Sequence, residues 1–396
     1  MPMKPLAITV IAVICAITFS GAEAWAAVSN LSIASSAADP SLPAQYSYTQ
    51  SITFSNTSAA PAYNVTASVV LLAPETSYSQ VKLVHESMPP QSSHHDQYGN
   101  LIGTFTWPEI PAHRSVSLTL SYQATSSDVT YQLPASYPPY NVHSPVYQFY
   151  TNPHLEAAQV NTDSPVLEHI DQSVVRPGEN PEQKAHAIYQ WIVHNIRYNY
   201  SLQASGSAVA TALSHLGICS DFADLYIGLL RTAKIPARFV GGYVTSNGSG
   251  QGGFHQWTEF YLPRVGWVVA DPTWGNGYFA QLQDHWHIGL YDGIRKDITV
   301  NWSYNPAALS TQQATNQIRI LYQYHFQKEV PASPLKPPFV RKHPTKTKVR
   351  PILAPTTVSH KVHGVPLSFW QQLWLNFTGW FWNQIHRVNR WFRVHM

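Results

Sequence analysis

The sequence predicts an α+β fold in which an N-terminal β-sandwich precedes a mixed domain of helices and then strands. Across residues 28–135 apolar and polar residues alternate with period two, as they do in half-buried strands. Turn signals separate these stretches, and short strands at such spacing favour a sandwich. From about residue 164 apolar residues instead recur every three or four positions, as on the buried face of a helix.

Three stretches carry the alternation of the predicted sandwich. Their apolar positions are Tyr46, Tyr48, Ile52 and Phe54, then Tyr63, Val65, Ala67, Val69 and Leu71, and then Val116, Leu118, Leu120 and Tyr122. Turns are predicted at residues 96–100 and around Pro74, Pro89 and Pro108, because such residues interrupt strands.

The mixed domain is predicted at residues 150–325. One helix begins after Asn180, a good N-cap that is followed by Pro181 and Glu182. A second begins at or just before Cys219 and runs to about Arg231, since Ile235-Pro236 cannot continue it. Strands are predicted at 237–244, 254–262 and 266–270, with a flexible glycine-rich loop at 246–253.

Residues 1–26 are predicted to be a signal peptide. Lys4 provides a positive start, Leu6 to Phe19 is nearly all apolar, and Ala22-Glu23-Ala24 offers a cleavage site. An uncleaved anchor is the alternative, but the run is short for a membrane span, which needs about 20 apolar residues. We therefore expect a secreted or extracellular protein.

The C-terminal segment differs in charge from the rest of the chain. From Val330 to Met396 there are ten Lys and Arg residues and no acid. Residues 331–366 are predicted to be a disordered linker rich in Pro and Lys, and residues 367–396 an amphipathic helix with an aromatic face and a basic face. We expect this tail to bind an anionic membrane or cell-wall surface, with packing on the enzyme body as the alternative. Nucleic acid is not an expected partner.

The mature chain is predicted to hold a single cysteine. The sequence has two, Cys15 and Cys219, and Cys15 lies in the signal segment. A secreted protein with one thiol forms no internal disulfide, so Cys219 is either an inert buried residue or a reactive one.

The residues downstream of Cys219 favour the reactive alternative. A thiol attacks carbonyl groups as a thiolate, and a free cysteine has a pKa of about 8.5. A helix start stabilises the thiolate, and a neighbouring imidazole can take its proton. His255, in a strand-like stretch, is the candidate base. Asp271, at the end of the next predicted strand, is the candidate group that orients the imidazole, although it could instead cap the turn at Pro272-Thr273.

These residues carry a family resemblance over roughly residues 160–280. The motifs are G-I-C-S-D-F-A-D-L at 217–225, L-L-R-T-A-K-I-P-A-R-F-V-G-G-Y at 229–243, F-H-Q-W-T-E-F-Y-L-P at 254–263 and G-W-V-V-A-D-P-T at 266–273. In this order they resemble the transglutaminase-like superfamily, including its secreted bacterial members. The resemblance implies a papain-like core with Cys219 as nucleophile, His255 as base and Asp271 as orienting acid.

The resemblance leaves the outcome of the reaction open. A thioester on Cys219 can pass to a lysine amine, which gives a cross-link, or to water, which gives hydrolysis. The alternatives are a cysteine peptidase of cell-wall or other peptides and a non-catalytic binding scaffold. No cofactor is expected, and no metal, because the calcium sites of animal relatives have no match here. Asp284-His285-Trp286-His287 is a weaker alternative site, and His215, His285 and His287 are expected to be surface or structural histidines.

Overall fold

The computed structural model describes residues 38–40, 43–245, 252–293, 298–303 and 318–329. The predicted signal peptide at 1–26, the linker at 331–366, the helix at 367–396 and most of the loop at 246–253 lie outside these residues. No helix within the described part of the chain has the length and apolar character that a bilayer crossing requires.

The described chain contains helices between two strand-rich regions, as the α+β prediction requires. In chain order the elements are β1 (Ala38–Pro40), β2 (Ala44–Asn56), β3 (Ala62–Leu72), β4 (Ser79–Glu86), β5 (Ser92–His95), β6 (Leu101–Ile110), β7 (Ser115–Ser126), β8 (Val129–Tyr131), α1 (Pro145–Tyr150), α2 (Ala157–Val160), α3 (Pro165–Val174), α4 (Pro181–Asn195), β9 (Arg197–Tyr198), α5 (Ala208–Ser214), β10 (Leu216–Gly217), α6 (Cys219–Thr232), β11 (Ala237–Thr245), β12 (Gly252–Leu262), β13 (Gly266–Ala270), a 3-10 turn (Pro272–Trp274), β14 (Gln281–Leu282), β15 (His287–Asp292), β16 (Ile298–Ser303) and β17 (Ile318–Glu329).

Two four-stranded antiparallel sheets form a two-sheet unit. Their strand orders are β16-β3-β6-β5 and β17-β2-β7-β4. The alternating apolar residues of the sequence form one buried cluster that both sheets share, including Tyr46, Ile52, Phe54, Val65, Ala67, Phe105, Leu118 and Leu120. An outer strand of each sheet, β16 or β17, comes from beyond residue 297, so the unit extends outside the range 28–135 and takes residues from the predicted range 150–325.

The second hydrophobic core surrounds α6. This helix is buried on nearly all sides, because it packs against β11 and β12 on one side and against α3, α4 and α5 on others. Its sheet has the antiparallel order β13-β12-β11-β15. Helices begin earlier than residue 164, since α1 starts at Pro145 after Ser144, whose side chain accepts the Tyr147 N–H.

Local capping explains where α4 begins. The Asn180 side chain accepts the Gln183 N–H at 2.9 Å, and the Gln183 side chain accepts the Asn180 N–H at 3.0 Å. This reciprocal pair satisfies two donors that the first turn leaves free. Pro181 occupies the first helical position, as the sequence predicts.

Buried charges bind the strands of the core sheet together. Arg238 on β11 lies 2.6 Å from Glu259 on β12 and 2.8 Å from Asp292 on β15. Its guanidinium also stacks on Trp267 of β13, 4.3 Å from the ring centre. One arginine therefore contacts the other three strands of this sheet. Removal of Arg238 would leave two buried carboxyl groups without their cation, which is unfavourable.

The two-sheet unit holds the segment that leads into β15. The Tyr46 hydroxyl donates to the carbonyl of His285 at 3.0 Å, and the Ser126 hydroxyl donates to the carbonyl of His287 at 2.8 Å. The Gly289 N–H donates to the Ser79 hydroxyl at 3.1 Å. Residues 285–289 are thus fixed by contacts from β2, β4 and β7.

Candidate active site

Cys219 is the first residue of α6, as predicted from the sequence. The Ile218 N–H donates to Asp221 Oδ2 at 2.9 Å, which fixes the entry to the helix. Gly217 permits this, because a Cβ there would lie 2.7 Å from the Cβ of Asp221. Cys219 is partly exposed as a residue, and its backbone lies at the positive end of the helix.

His255 lies on β12, the strand next to β13 in the core sheet. It is only 9% exposed, and its ring stacks beside Trp257 with the centroids 5.9 Å apart. The Trp257 indole N–H is in turn held by the Tyr78 hydroxyl at 2.7 Å, just before β4. The imidazole therefore packs against Trp257, which is itself held by a hydrogen bond from the segment before β4.

Asp271 follows β13 directly and is fully buried. Its Oδ2 lies 2.6 Å from His255 Nε2, and its Oδ1 accepts the Thr273 N–H at 3.0 Å. The carboxylate thus both caps the 3-10 turn and contacts the imidazole, so the two alternatives drawn from the sequence coexist. Because Nε2 faces Asp271, Nδ1 is the ring nitrogen left for Cys219.

The thiol and the imidazole shift each other's pKa in opposite directions. Burial alone would raise the pKa of Cys219, but the hydrogen bond and charge of His255 and the N–H of Gln256 bring it below its ordinary value. Burial would lower the pKa of His255, but Asp271 and then Cys219 outweigh it and raise the pKa to about 10. Between these two pKa values a thiolate and an imidazolium coexist.

Asp271 stays ionised although it is buried. Burial by itself would raise its pKa, but the charge and hydrogen bond of His255, followed by those of His287, hold the pKa well below the usual range. The carboxylate therefore accepts, and the His255 Nε2 that faces it carries a proton.

Tyr198 is a contact that the sequence pattern did not reveal. Burial and the neighbouring Cys219 raise the pKa of Tyr198, so its hydroxyl stays protonated, and that hydroxyl interacts with both the backbone N–H and the side chain of Cys219. Its ring also packs near Phe222 of α6. Tyr198, in the Arg197–Tyr198 pair of β9, belongs to no motif, so the sequence alone does not predict this contact.

His287 and Asp284 lie directly behind Asp271. His287 Nε2 is 3.3 Å from Asp271 Oδ2, and His287 Nδ1 is 2.9 Å from Asp284 Oδ1. The segment 284–287, weighed from the sequence only as a separate site, thus meets the Cys219 group through its last residue. His285 takes no part in these contacts.

Three side chains of this group have the composition of a metal site. His255, Asp271 and His287 each offer one ligand atom, and these atoms lie within 4.8 Å of one another. Two imidazoles and a carboxylate suit an ion such as Zn²⁺. An ion there would replace the hydrogen bonds that now join Asp271 to both rings.

Comparisons with known proteins agree with the motifs. Residues 168–272 match the model of the transglutaminase-like superfamily. An uncharacterized protein of Haemophilus influenzae is 25% identical over 224 residues, which span 49% of this chain and 60% of that protein. A protein-glutamine gamma-glutamyltransferase of Pseudomonas aeruginosa is 35% identical over 66 residues, 15% of this chain and 10% of that enzyme. The match therefore covers under two thirds of either relative.

Some solved structures are distantly similar to this chain. A candidate cysteine protease from Cytophaga hutchinsonii aligns with 74% of this chain and 100% of its own, at 16% identity and a TM-score of 0.47. The periplasmic domain of TgpA from Pseudomonas aeruginosa aligns with 62% of this chain and 91% of its own, at 15% identity and a TM-score of 0.30. Both TM-scores lie below 0.5.

Proposed function

We propose that this chain is a secreted thiol enzyme that acts on protein or peptide amides. Its residues 168–272 match the model of the transglutaminase-like superfamily. The observation that carries this proposal is the thiol of Cys219 at a helix start, linked through His255 to the buried Asp271. We propose these three residues as a catalytic triad, with Cys219 as nucleophile, His255 as acid and base, and Asp271 as the orienting carboxylate.

In the first half of the proposed reaction the Cys219 thiolate adds to the carbonyl carbon of an amide. The negative charge that develops on the oxygen lies near the first turn of α6, whose N–H groups and dipole stabilise anions. The His255 imidazolium then gives its proton to the departing nitrogen. The carbon–nitrogen bond breaks, a thioester forms on Cys219, and ammonia leaves if the substrate is a glutamine side chain.

In the second half neutral His255 takes a proton from the incoming nucleophile. An amine gives a new amide, and water gives a carboxylic acid; in both cases the carbon–sulfur bond breaks and the thiol is restored through the same imidazole. Asp271 holds the ring orientation in both halves, since its Oδ2 remains on Nε2.

Cleavage of cell-wall or other peptides is the second candidate function. The ten cations and absent acids between Val330 and Met396 favour it, because such a tail suits an anionic wall polymer.

A membrane surface is the other proposed partner of the same tail. Secretion rests on the signal features of residues 1–26.

A non-catalytic binding scaffold is the remaining alternative. Buried ionisable groups such as Asp271 and His255 are costly unless paired, and a scaffold could dispense with the whole set. Their presence beside a thiol at a helix start therefore favours an enzyme.

The test is mass spectrometry of a glutamine-containing peptide incubated with the protein, with and without a small primary amine. An amine adduct indicates transfer, deamidated glutamine indicates hydrolysis, and a cut backbone indicates the peptidase. Cys219→Ala is the matched control and should remove every product. An unchanged peptide across varied glutamine and cell-wall peptides would support the scaffold and contradict the enzyme.

A further inference from the structure

His287 is a buried ionisable residue that the proposed reaction does not use. It begins β15 and is fully buried. Aromatic rings enclose it, with the centroids of Trp257 and Trp274 each 5.1 Å away and that of Tyr278 at 6.0 Å. An imidazole in such surroundings needs partners at both nitrogens, because an unpaired polar group in an apolar pocket is unfavourable.

Both ring nitrogens of His287 have a carboxylate oxygen as partner. Nδ1 lies 2.9 Å from Asp284 Oδ1, and Nε2 lies 3.3 Å from Asp271 Oδ2. The Trp286 N–H also donates to Asp284 Oδ1 at 2.8 Å, so Asp284 is itself held in place. Ionised carboxylates only accept, and both nitrogens of His287 therefore donate, which makes the ring an imidazolium.

The ionisable groups that face His287 support this protonation state. They are Asp271, Asp284, the His255 ring 5.8 Å away, and Tyr278, which also interacts with Asp284. Burial would lower the pKa of His287, but hydrogen bonds to Asp271 and Asp284 raise it above its ordinary value. Burial would raise the pKa of Asp284, but His287 lowers it.

The position of His287 bears directly on the orientation of His255. Asp271 Oδ2 receives two N–H groups, from His255 and His287, and Oδ1 receives the Thr273 N–H. Three donors from three segments define the plane of the carboxylate. Among the described contacts, His255 and His287 are the two side chains that reach Asp271 Oδ2. Without His287, this oxygen would be held by His255 alone. The carbonyl of His287 is also fixed by Ser126, so the ring is anchored at both its backbone and its nitrogens.

We propose that His287, held by Asp284, is a positioning residue that fixes Asp271 and through it aligns His255 with Cys219. This inference rests on the proposed function for its effect on turnover, but its effect on the thiol needs no substrate. A His255 ring held in line with Cys219 keeps its hydrogen bond to the thiol, so loss of that alignment should raise the pH at which the thiolate forms.

The experiment compares His287→Gln and Asp284→Asn with the control His285→Gln in the full chain, in buffer containing EDTA so that no bound metal contributes. Three quantities are measured: the melting temperature, kcat and KM for the peptide reaction, and the pH dependence of Cys219 alkylation. His287→Gln should lower kcat by between about tenfold and about 100-fold, as expected for a misaligned catalytic group. KM should stay nearly constant because His287 is buried.

The alkylation curve of His287→Gln should move to higher pH, that of Asp284→Asn should move less in the same direction, and His285→Gln should match wild type. A folded His287→Gln protein with wild-type kcat and an unmoved curve would overturn the proposal. If His287→Gln fails to fold, Asp284→Asn decides, and an unmoved curve there overturns it. A wild-type protein that turns over no peptide would contradict the proposed function alone, since alkylation would still report on His287.

Discussion

The opposite pKa shifts of Cys219 and His255 determine when the thiol can react. The pKa of Cys219 lies below its ordinary value and that of His255 is raised to about 10. The ion pair is present between these two limits. Below the lower limit the thiolate takes up a proton, and above the upper limit the imidazolium loses one.

Alkylation of Cys219 by iodoacetamide should therefore rise with pH at values below about 8.5, the pKa of a free thiol. His255→Ala should move this rise to higher pH, because the thiolate loses both a hydrogen bond and a positive charge. The measurement is the labelled fraction of the Cys219 peptide by mass spectrometry, which separates it from Cys15. The exposed His154, replaced by Ala, serves as control. Labelling that begins only near pH 8.5 in wild type would rule out the ion pair.

Single residues were predictable from sequence where a local signal marks them. Cys219 stands at a helix start, His255 in a strand-like alternation, and Asp271 before a proline turn, and the structure brings these three together. His287 was not predictable as a neighbour of Asp271. It is buried and contacts Asp271 16 positions away in sequence, and neither property can be recognised from the residues beside it.

Besides the proposed nucleophile Cys219, helix α6 carries a buried acid, Asp224, that affects the stability of the fold. Burial raises the pKa of Asp224 from an ordinary 3.8 to about 8, with the charges of Asp221 and Glu156 adding to the effect. The folded state thus binds a proton that the unfolded chain has already lost. Between these two pKa values stability falls as pH rises.

Asp224→Asn should remove this pH dependence, because an amide has nearly the shape of the protonated acid and does not ionise. We expect its melting temperature to exceed that of wild type by about 2 °C or more at pH 8, and to equal it near pH 4. Thermal unfolding followed by circular dichroism at both pH values measures this. Asp163→Asn, an exposed acid outside the helix, is the control. A difference between wild type and Asp224→Asn that is equal at the two pH values would contradict the explanation.

Elements that carry start and stop signals in the sequence have observed bounds close to the predicted ones. Helix α4 begins after Asn180, α6 begins at Cys219, and β13 spans Gly266–Ala270. The helix at Pro145–Tyr150 was missed because six residues are too short to show a helical period. The partners of β16 and β17 were also missed, since a strand pattern shows that a strand exists but not which distant strand it joins.

The described part of the molecule is linked across its two hydrophobic cores around the candidate site. Tyr46 and Ser126 of the two-sheet unit hold the backbone at 285–287, next to the site. The two-sheet unit is thus part of the support of the site. No separate motif in the sequence announces this, because each contact uses an ordinary tyrosine or serine.

The basic tail is expected to bind the whole protein to an anionic surface. Deletion of residues 331–396 should leave peptide turnover unchanged and abolish sedimentation with vesicles that contain anionic lipid. Ten cations without acids contribute roughly 1 kcal/mol each near such a surface. Neutral phosphatidylcholine vesicles serve as control, and added salt should weaken binding of the full chain.

Equal sedimentation of the truncated and full-length proteins would exclude the tail as a membrane anchor. Loss of folding on truncation would instead favour a tail packed against the enzyme body. Retention of the full chain on anionic wall polymer, without vesicle binding, would point to the wall as partner.

The position of β16 and β17 late in the chain affects how this protein folds during synthesis. Gln50 and Tyr324, which share a hydrogen bond across β2 and β17, are separated by 274 positions. During synthesis β2 and β3 leave the ribosome long before the strands that cover their outer edges, and open edges of this kind invite pairing with other chains. Contacts between such distant residues also close slowly. We therefore expect refolding in dilute solution to outperform refolding at high concentration, and expression as separate halves to yield aggregates.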